Sequence, residues 1–166
     1  MTRVHTVFGS PLGELTLVAE DGALSALYFP GHKRLPEPAA FGPRCDEGFG
    51  EARRQLAEYF AGERTMFTLP LAPQGDPFQL KVWELLRQIP YGQTRSYGQL
   101  ARELGGTQLA QAVGNANGRN PISIVVPCHR VVGADGSLVG YAGGLERKRF
   151  LLELEEAPEA KAARLF

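Results

Sequence analysis

Only two cysteines, Cys45 and Cys128, occur in the 166 residues. That excludes a disulfide framework and fits a reducing, cytoplasmic setting. No apolar run approaches the roughly 20 residues a bilayer-spanning helix needs. The longest, around Ile122–Pro127, is followed at once by Cys128, His129 and Arg130. The start, Met1-Thr2-Arg3-Val4-His5, lacks the apolar stretch of an export signal, so no export is expected. There is no phosphate-cradling glycine loop, no dinucleotide fingerprint, and no repeat or low-complexity segment. Net charge is also missing, with 18 Lys/Arg against 18 Asp/Glu. What is present, 43% hydrophobic and 22% charged residues, excludes wholesale disorder. The length suits one domain or two small ones.

The zero sum hides a pattern. Residues 1–75 carry 7 basic and 9 acidic side chains, residues 76–150 carry 9 and 5, and residues 151–166 carry 2 and 4. A centre of charge +4 between acidic flanks permits a polyanionic partner without requiring one.

The first part of the chain reads as β-rich. Val4–Phe8, Glu14–Glu20 and Ala23–Phe29 are short β-branched and apolar runs, with Asp21-Gly22 as a hairpin turn between the second and third. Residues 30–47, with four prolines and two glycines, predict a loop. Phe49, Ala52, Leu56, Tyr59 and Phe60 recur at helical spacing before Gly62, and Met66–Leu69 predicts an edge strand. A Pro- and Gly-containing stretch then separates two domains, giving boundaries of 1–70, a linker at 71–77, and 78–166.

Beyond the linker the period turns helical. Asp76-Pro77-Phe78-Gln79 is a capping box with proline at the first helical position, opening a helix that Pro90-Tyr91-Gly92 ends. Ser96-Tyr97-Gly98-Gln99 is a second box, opening a helix to about Leu104. After Gly105-Gly106, Thr107 is expected to cap another helix to about Asn117. Two short helices about a glycine turn suggest a helix-turn-helix, although many helical domains contain such a pair. Asn120-Pro121 breaks the last of these. Ile122–Val126 is expected to be a buried strand delivering Pro127-Cys128-His129-Arg130, and a final helix is expected from Leu145 to about Glu155. Residues 157–166 are expected to form a loose tail.

Cys128 carries the chemistry. A thiolate is the strongest side-chain nucleophile once something takes its proton. His129 is the neighbouring base, yet adjacent residues on an extended chain face opposite sides, so the pair needs a bridging water or a bent backbone. Glu153 or Glu155 of the final helix could orient the imidazole. Residue types alone favour a buried structural cysteine beside a surface histidine.

Pro127-Cys128-His129-Arg130-Val131, preceded by Asn120-Pro121 and followed by Gly140-Tyr141-Ala142-Gly143-Gly144, resembles the O6-alkylguanine-DNA alkyltransferase family over residues 76–155. The resemblance implies an α+β chain. A small N-terminal β-sheet and helix domain of the ribonuclease H-like kind precedes a mainly α-helical C-terminal domain with a helix-turn-helix. It implies that the protein binds double-stranded DNA through the minor groove, flips out O6-alkylguanine and moves the alkyl group onto Cys128 once, irreversibly. The family's cysteine–water–histidine–glutamate relay falls on Cys128, His129 and Glu155. Asn120 matches the hinge asparagine. Tyr97 matches the tyrosine beside the flipped nucleotide, Tyr141 the aromatic wall, and Ala142 the backbone N–H that approaches O6. The carbonyls of Cys128 and Val131 are expected to read the exocyclic amine.

The helix entering DNA is expected to present Gln111, Ala112 and Gly114, with Arg119 nearby for a phosphate. Family members usually carry arginine where Gln111 stands, so weaker binding and flipping are expected. No cofactor, membrane or obligate protein partner is implied, and a monomer is expected. Some relatives hold a structural zinc. Here Cys45, His5 and His32 offer no close ligand pair, so no metal is expected. Two rivals remain at this point: a Cys128–His129 hydrolase, which would need an oxyanion hole that the sequence does not show, and a non-catalytic lesion-binding module, whose known examples lack the cysteine.

Overall fold

The computed structural model describes residues 2–156. The expected tail at 157–166 lies outside the described residues. An antiparallel meander comes first: β1 (Arg3–Ser10), β2 (Gly13–Glu20) and β3 (Ala23–Tyr28). The β2–β3 turn is Asp21-Gly22, both residues at positive φ (49° and 87°), as a tight hairpin of matching twist requires. Helix α1 (Gly50–Phe60) lays Ala52, Leu56 and Tyr59 into the core.

The expected edge strand at Met66–Leu69 is not formed. The pairing lies further along, where Leu24 donates to the Pro70 carbonyl (2.9 Å) and Ala72 donates to the Leu24 carbonyl (2.8 Å). The apolar run signalled burial, while the free groups of β3 chose which residues pair. The same strand also receives the second half of the chain, because Leu27 donates to the Pro121 carbonyl at 2.8 Å. Both contacts satisfy backbone groups that an open sheet edge would expose.

Helix α2 (Pro77–Arg87) and helix α3 (Tyr97–Leu104) each begin with the expected reciprocal capping box, at Asp76/Gln79 and Ser96/Gln99. A two-residue strand, β4 (Arg95–Ser96), precedes α3 and pairs in parallel with β5 (Val131–Val132). Thr107 does not cap the next helix. Residues Thr107–Leu109 form a single 3-10 turn, and α4 (Ala110–Gly118) follows without a side-chain cap. Continuing the 3-10 turn into the helix leaves no extended residue at which a threonine hydroxyl can cap. Helices α3 and α4 form the helix-turn-helix pair.

The segment Ile122–Val126 is not a strand. It is buried, but it turns on itself: Val126 donates to the Ile122 carbonyl, and Ile124 sits at φ 72°. A β-branched residue there is strained, at a cost of about 1–3 kcal/mol. The strain is tolerated because Ile124 is 1% exposed and Asn120 pins the turn from below. Helix α5 (Leu145–Leu154) closes the chain, with Leu151 fully buried. One apolar core runs through both halves, from Leu15, Leu27 and Phe29 to Val82, Leu86 and Val131. No helix among the described residues is long and apolar enough to cross a membrane.

Candidate active site

The strained turn ends in a 3-10 turn of three residues, Cys128–Arg130. The backbone at Cys128 and His129 is therefore bent rather than extended, which removes the geometric objection to their cooperating. Both are buried, at 4% and 0% exposure, so His129 is no surface histidine. Asn120 builds the platform. Its amide donates to the Val126 carbonyl at 2.8 Å, and its carbonyl accepts from the Ile122 N–H at 3.0 Å. Asn117 of α4 donates to the Cys128 carbonyl at 3.4 Å, tying the second helix of the helix-turn-helix to the backbone at Cys128.

Of the two glutamates that the final helix offered, the structure selects Glu155. Glu153 is exposed, whereas Glu155 is 2% exposed and caps the C-terminus of α5. His129 Nε2 lies 2.8 Å from Glu155 Oε2. Arg130 donates through Nε to Oε1 (2.8 Å) and through Nη2 to Oε2 (3.0 Å), and its Nη1 donates to the Ile89 carbonyl (2.7 Å). Tyr59 of α1 donates to Oε2 at 2.5 Å. Burial pushes the Glu155 carboxyl up, but the hydrogen bond and charge of His129, and then those of Arg130, outweigh it and hold it down at about 2. The carboxylate is thus a permanent anion. Burial pushes the His129 imidazole down, and Glu155 pulls against that. Burial also pushes the Cys128 thiol up, against the smaller pull of Asn120 and Lys148. Burial thus disfavours the charged form of both the thiol and the imidazole. His129 Nδ1 is buried without a protein partner, and it is the ring nitrogen left over from the Glu155 bond.

Lys148 of α5 is 0% exposed and donates to the Val139 and Gly140 carbonyls, both at 3.0 Å. It holds the strap that carries Tyr141 and Ala142. Desolvation brings its ammonium down to about 8. Gly143 completes the strap, because a Cβ there would meet the Phe29 ring at 2.4 Å. Tyr97 donates from the start of α3 to the Val139 carbonyl at 3.0 Å. Tyr97, Tyr141 and Ala142 line one cavity of about 160 Å³ together with Gly114 and Asn117 of α4. Val131 is fully buried beside the nucleophile's turn. Gln111 and Arg119 are exposed on α4 and just past its end, while Ala112 and Gly114 are half-buried. The ring of Tyr97 lies 3.8 Å from where a Gly114 Cβ would stand.

Sequence reasoning assigned no role to Tyr59, Asn117, Arg130 or Lys148, nor to Lys33 and Arg34, which bring two cations from the N-terminal loop to the cavity's rim. Two of them left a trace. Lys148, Leu151 and Glu155 share one helical face, so a lysine and a glutamate on the buried side of α5 must find polar partners. Arg130 stands amid the apolar run Val125–Val132. Tyr59 left none, because its spacing reads as ordinary core.

Two family models cover nearly the whole chain. The 6-O-methylguanine DNA methyltransferase ribonuclease-like domain matches residues 4–73, and the DNA binding domain of the same family matches residues 77–157. A methylated-DNA–protein-cysteine methyltransferase of Methanosarcina acetivorans is 48% identical over 152 residues, covering 91% of this chain and 97% of that one. The constitutive one of Bacillus subtilis is 42% identical, covering 91% and 94%. A crystal structure of Mycobacterium tuberculosis OGT in complex with DNA superposes with a TM-score of 0.86 at 48% identity, covering 92% of each chain. With a buried cysteine–histidine–glutamate constellation beneath a helix-turn-helix, and with this likeness over both halves, the chain belongs to the 6-O-methylguanine DNA methyltransferase family.

Proposed function

We propose that this protein repairs double-stranded DNA by flipping out O6-alkylguanine and accepting the alkyl group on Cys128, once per molecule. The observation that carries the reading is the single buried network joining the Cys128 turn, His129 and a permanently ionised Glu155.

The chemistry follows from that network. Displacement at the alkyl carbon forms an S–C bond as the C–O6 bond breaks, and needs a thiolate. The thiol proton moves through one water to His129 Nδ1, the nitrogen left free by the Glu155 bond. Glu155 stabilises the imidazolium without taking its proton, because the hydrogen bonds and charges of His129 and Arg130 hold its own proton affinity low. The departing guanine gains charge and takes a proton from Tyr97, half-buried at the cavity mouth; the phenolate so formed is re-protonated through solvent by the proton that His129 took from the thiol, so the net reaction is neutral. The Ala142 N–H approaches O6, and the Cys128 and Val131 carbonyls accept from the exocyclic amine, which adenine lacks at that position.

The helix α4 residues Gln111, Ala112 and Gly114 enter the minor groove, where the pattern is too degenerate to restrict sequence, as repair in every context requires. Arg119 contacts phosphate. The thioether has no chemical route back to a thiol here, so each molecule acts once. Unpaired Cys45 and Cys128 support a cytoplasmic location.

Intact-protein mass spectrometry after incubation with an O6-methylguanine duplex tests the reading. A gain of one methyl on Cys128, absent in Cys128→Ala, is expected. No gain, or a gain on another residue, overturns it.

A further inference from the structure

Three donors converge on one oxygen. Glu155 Oε2 accepts from His129 Nε2 (2.8 Å), Arg130 Nη2 (3.0 Å) and the Tyr59 hydroxyl (2.5 Å). Tyr59 is 96 residues away in sequence, on α1 of the N-terminal half, and is fully buried. Its ring packs against Phe60, Phe67 and Tyr91. Any backbone carbonyl would satisfy a buried hydroxyl. This one takes the carboxylate oxygen that grips the catalytic imidazole.

We propose that Tyr59 is a positioning residue for alkyl transfer: by donating to Glu155 Oε2 it draws carboxylate charge away from His129 and keeps the Cys128–His129 pair neutral until a substrate arrives. The inference rests on the transfer chemistry proposed above. A hydrogen bond to a carboxylate in a low-dielectric interior stabilises and disperses its charge, and each added donor weakens the hold of that oxygen on the others. Arg130 already fixes the carboxylate through both oxygens, so losing the Tyr59 hydroxyl changes the charge His129 experiences more than it moves Glu155. The surrounding groups agree in direction. Arg130 and Lys148 both disfavour an imidazolium. Tyr91 spends its hydroxyl on the Leu154 carbonyl, and Tyr97 and Tyr141 stand on the Cys128 side. Burial first, and the Glu155 charge second, push the Tyr59 phenol well above its usual range, so it remains a donor.

A latent thiol suits a protein that reacts once. A standing thiolate would be lost to any stray electrophile, whereas a neutral thiol beside a poised base is spared. On this view the N-terminal domain supplies a restraint on the nucleophile as well as a scaffold.

The test is the rate of Cys128 labelling by iodoacetamide as a function of pH, in DNA-free protein carrying Cys45→Ser. Tyr59→Phe is expected to move the midpoint about half a unit to one unit toward acid, with labelling at neutral pH faster by about threefold to tenfold. Replacing Tyr59 by 3-fluorotyrosine, whose more acidic phenol is a stronger donor, is expected to move the midpoint the other way. This second protein decides the matter if the phenylalanine variant folds poorly. DNA affinity is expected to stay unchanged in both. Midpoints coinciding with that of the parent, or a shift toward base in Tyr59→Phe, overturn the proposal. Methyl gain from the O6-methylguanine duplex is recorded on the same samples. Methyl transfer by the parent with unmoved midpoints removes this inference and leaves the function standing. No methyl transfer by the parent removes the function, while the labelling profile still decides what Tyr59 does to Cys128.

Discussion

Replacing Glu155 with glutamine keeps the shape of the side chain and deletes its charge, which isolates what the anion does. Three residues depend on it. Arg130 loses its counter-charge and one of its two carboxylate oxygens, keeping a single amide oxygen and the Ile89 carbonyl as acceptors, although its side chain is 8% exposed. His129 loses the acceptor that fixes its ring, and Tyr59 loses an ionised partner. Removing one member of a buried ion pair leaves an uncompensated charge and typically costs about 3–5 kcal/mol. For a chain of this length each kcal/mol lowers the melting temperature by about 2–4 °C, so a fall of roughly 6–20 °C is expected at neutral pH.

The same anion predicts an acid limb. The carboxyl is held at about 2, below an ordinary glutamate at 4.5. A depressed value stabilises the fold above about pH 4.5, and the contribution drains away as pH falls toward 2. Its full size corresponds to about 3 kcal/mol. Melting curves of parent and Glu155→Gln, taken from neutral to acid pH, check both statements. The variant is expected to be less stable at neutral pH, and the gap is expected to narrow in acid. Methyl transfer by the variant is expected to fall by at least about tenfold, since the imidazolium loses its counter-charge. A variant that melts within a degree of the parent at neutral pH, or a gap that is constant with pH, refutes the reasoning.

Three further outcomes are expected. Gln111→Arg adds a cation to the exposed face of α4, so fluorescence anisotropy is expected to show tighter DNA binding and a salt slope steeper by about one; an unchanged slope counts against Gln111 facing the duplex. Asn120→Ala orphans the Ile122 N–H and takes one of two donors from the Val126 carbonyl, which keeps the Cys128 N–H, in a buried turn, so chemical denaturation is expected to show a loss of about 1–3 kcal/mol, accompanied by slower transfer. Methylation of Cys128 adds bulk where the residue is 4% exposed, and the spent protein is expected to be destabilised by about 1–3 kcal/mol; a melting temperature that is unchanged or raised contradicts this.

Local physics made much of this legible from the residues. The capping boxes at Asp76 and Ser96 and the Asp21-Gly22 hairpin each depend on a few neighbouring residues, and each forms where the sequence places it. The Pro127-Cys128-His129-Arg130 motif likewise singled out Cys128 and His129, although adjacency did not say whether the two side chains could cooperate; the 3-10 turn supplies the bend an extended chain lacks. The two missed strands share one cause. Ile122–Val126 and Met66–Leu69 are apolar, which signals burial, but an apolar run does not say whether a strand has a partner. At Ile122–Val126 the answer was a strained turn pinned by Asn120, and near Met66 it was a bridge displaced to Leu71 by the open edge of β3.

The sequence by itself determined most of the elements, the two capping boxes, and a shortlist of Cys128, His129 and two glutamates, because these rest on spacing and residue chemistry within a few turns of chain. Only the tertiary structure decided that Glu155 and not Glu153 faces His129, that Arg130 and Tyr59 share its oxygens, and that a buried Lys148 holds the strap over the cavity. Those contacts join residues up to 96 positions apart, and one α1 tyrosine with core spacing looks like any other until the core closes around a charge. The energy of that charge depends on which donors the packing brings to it, and packing is a property of the whole chain.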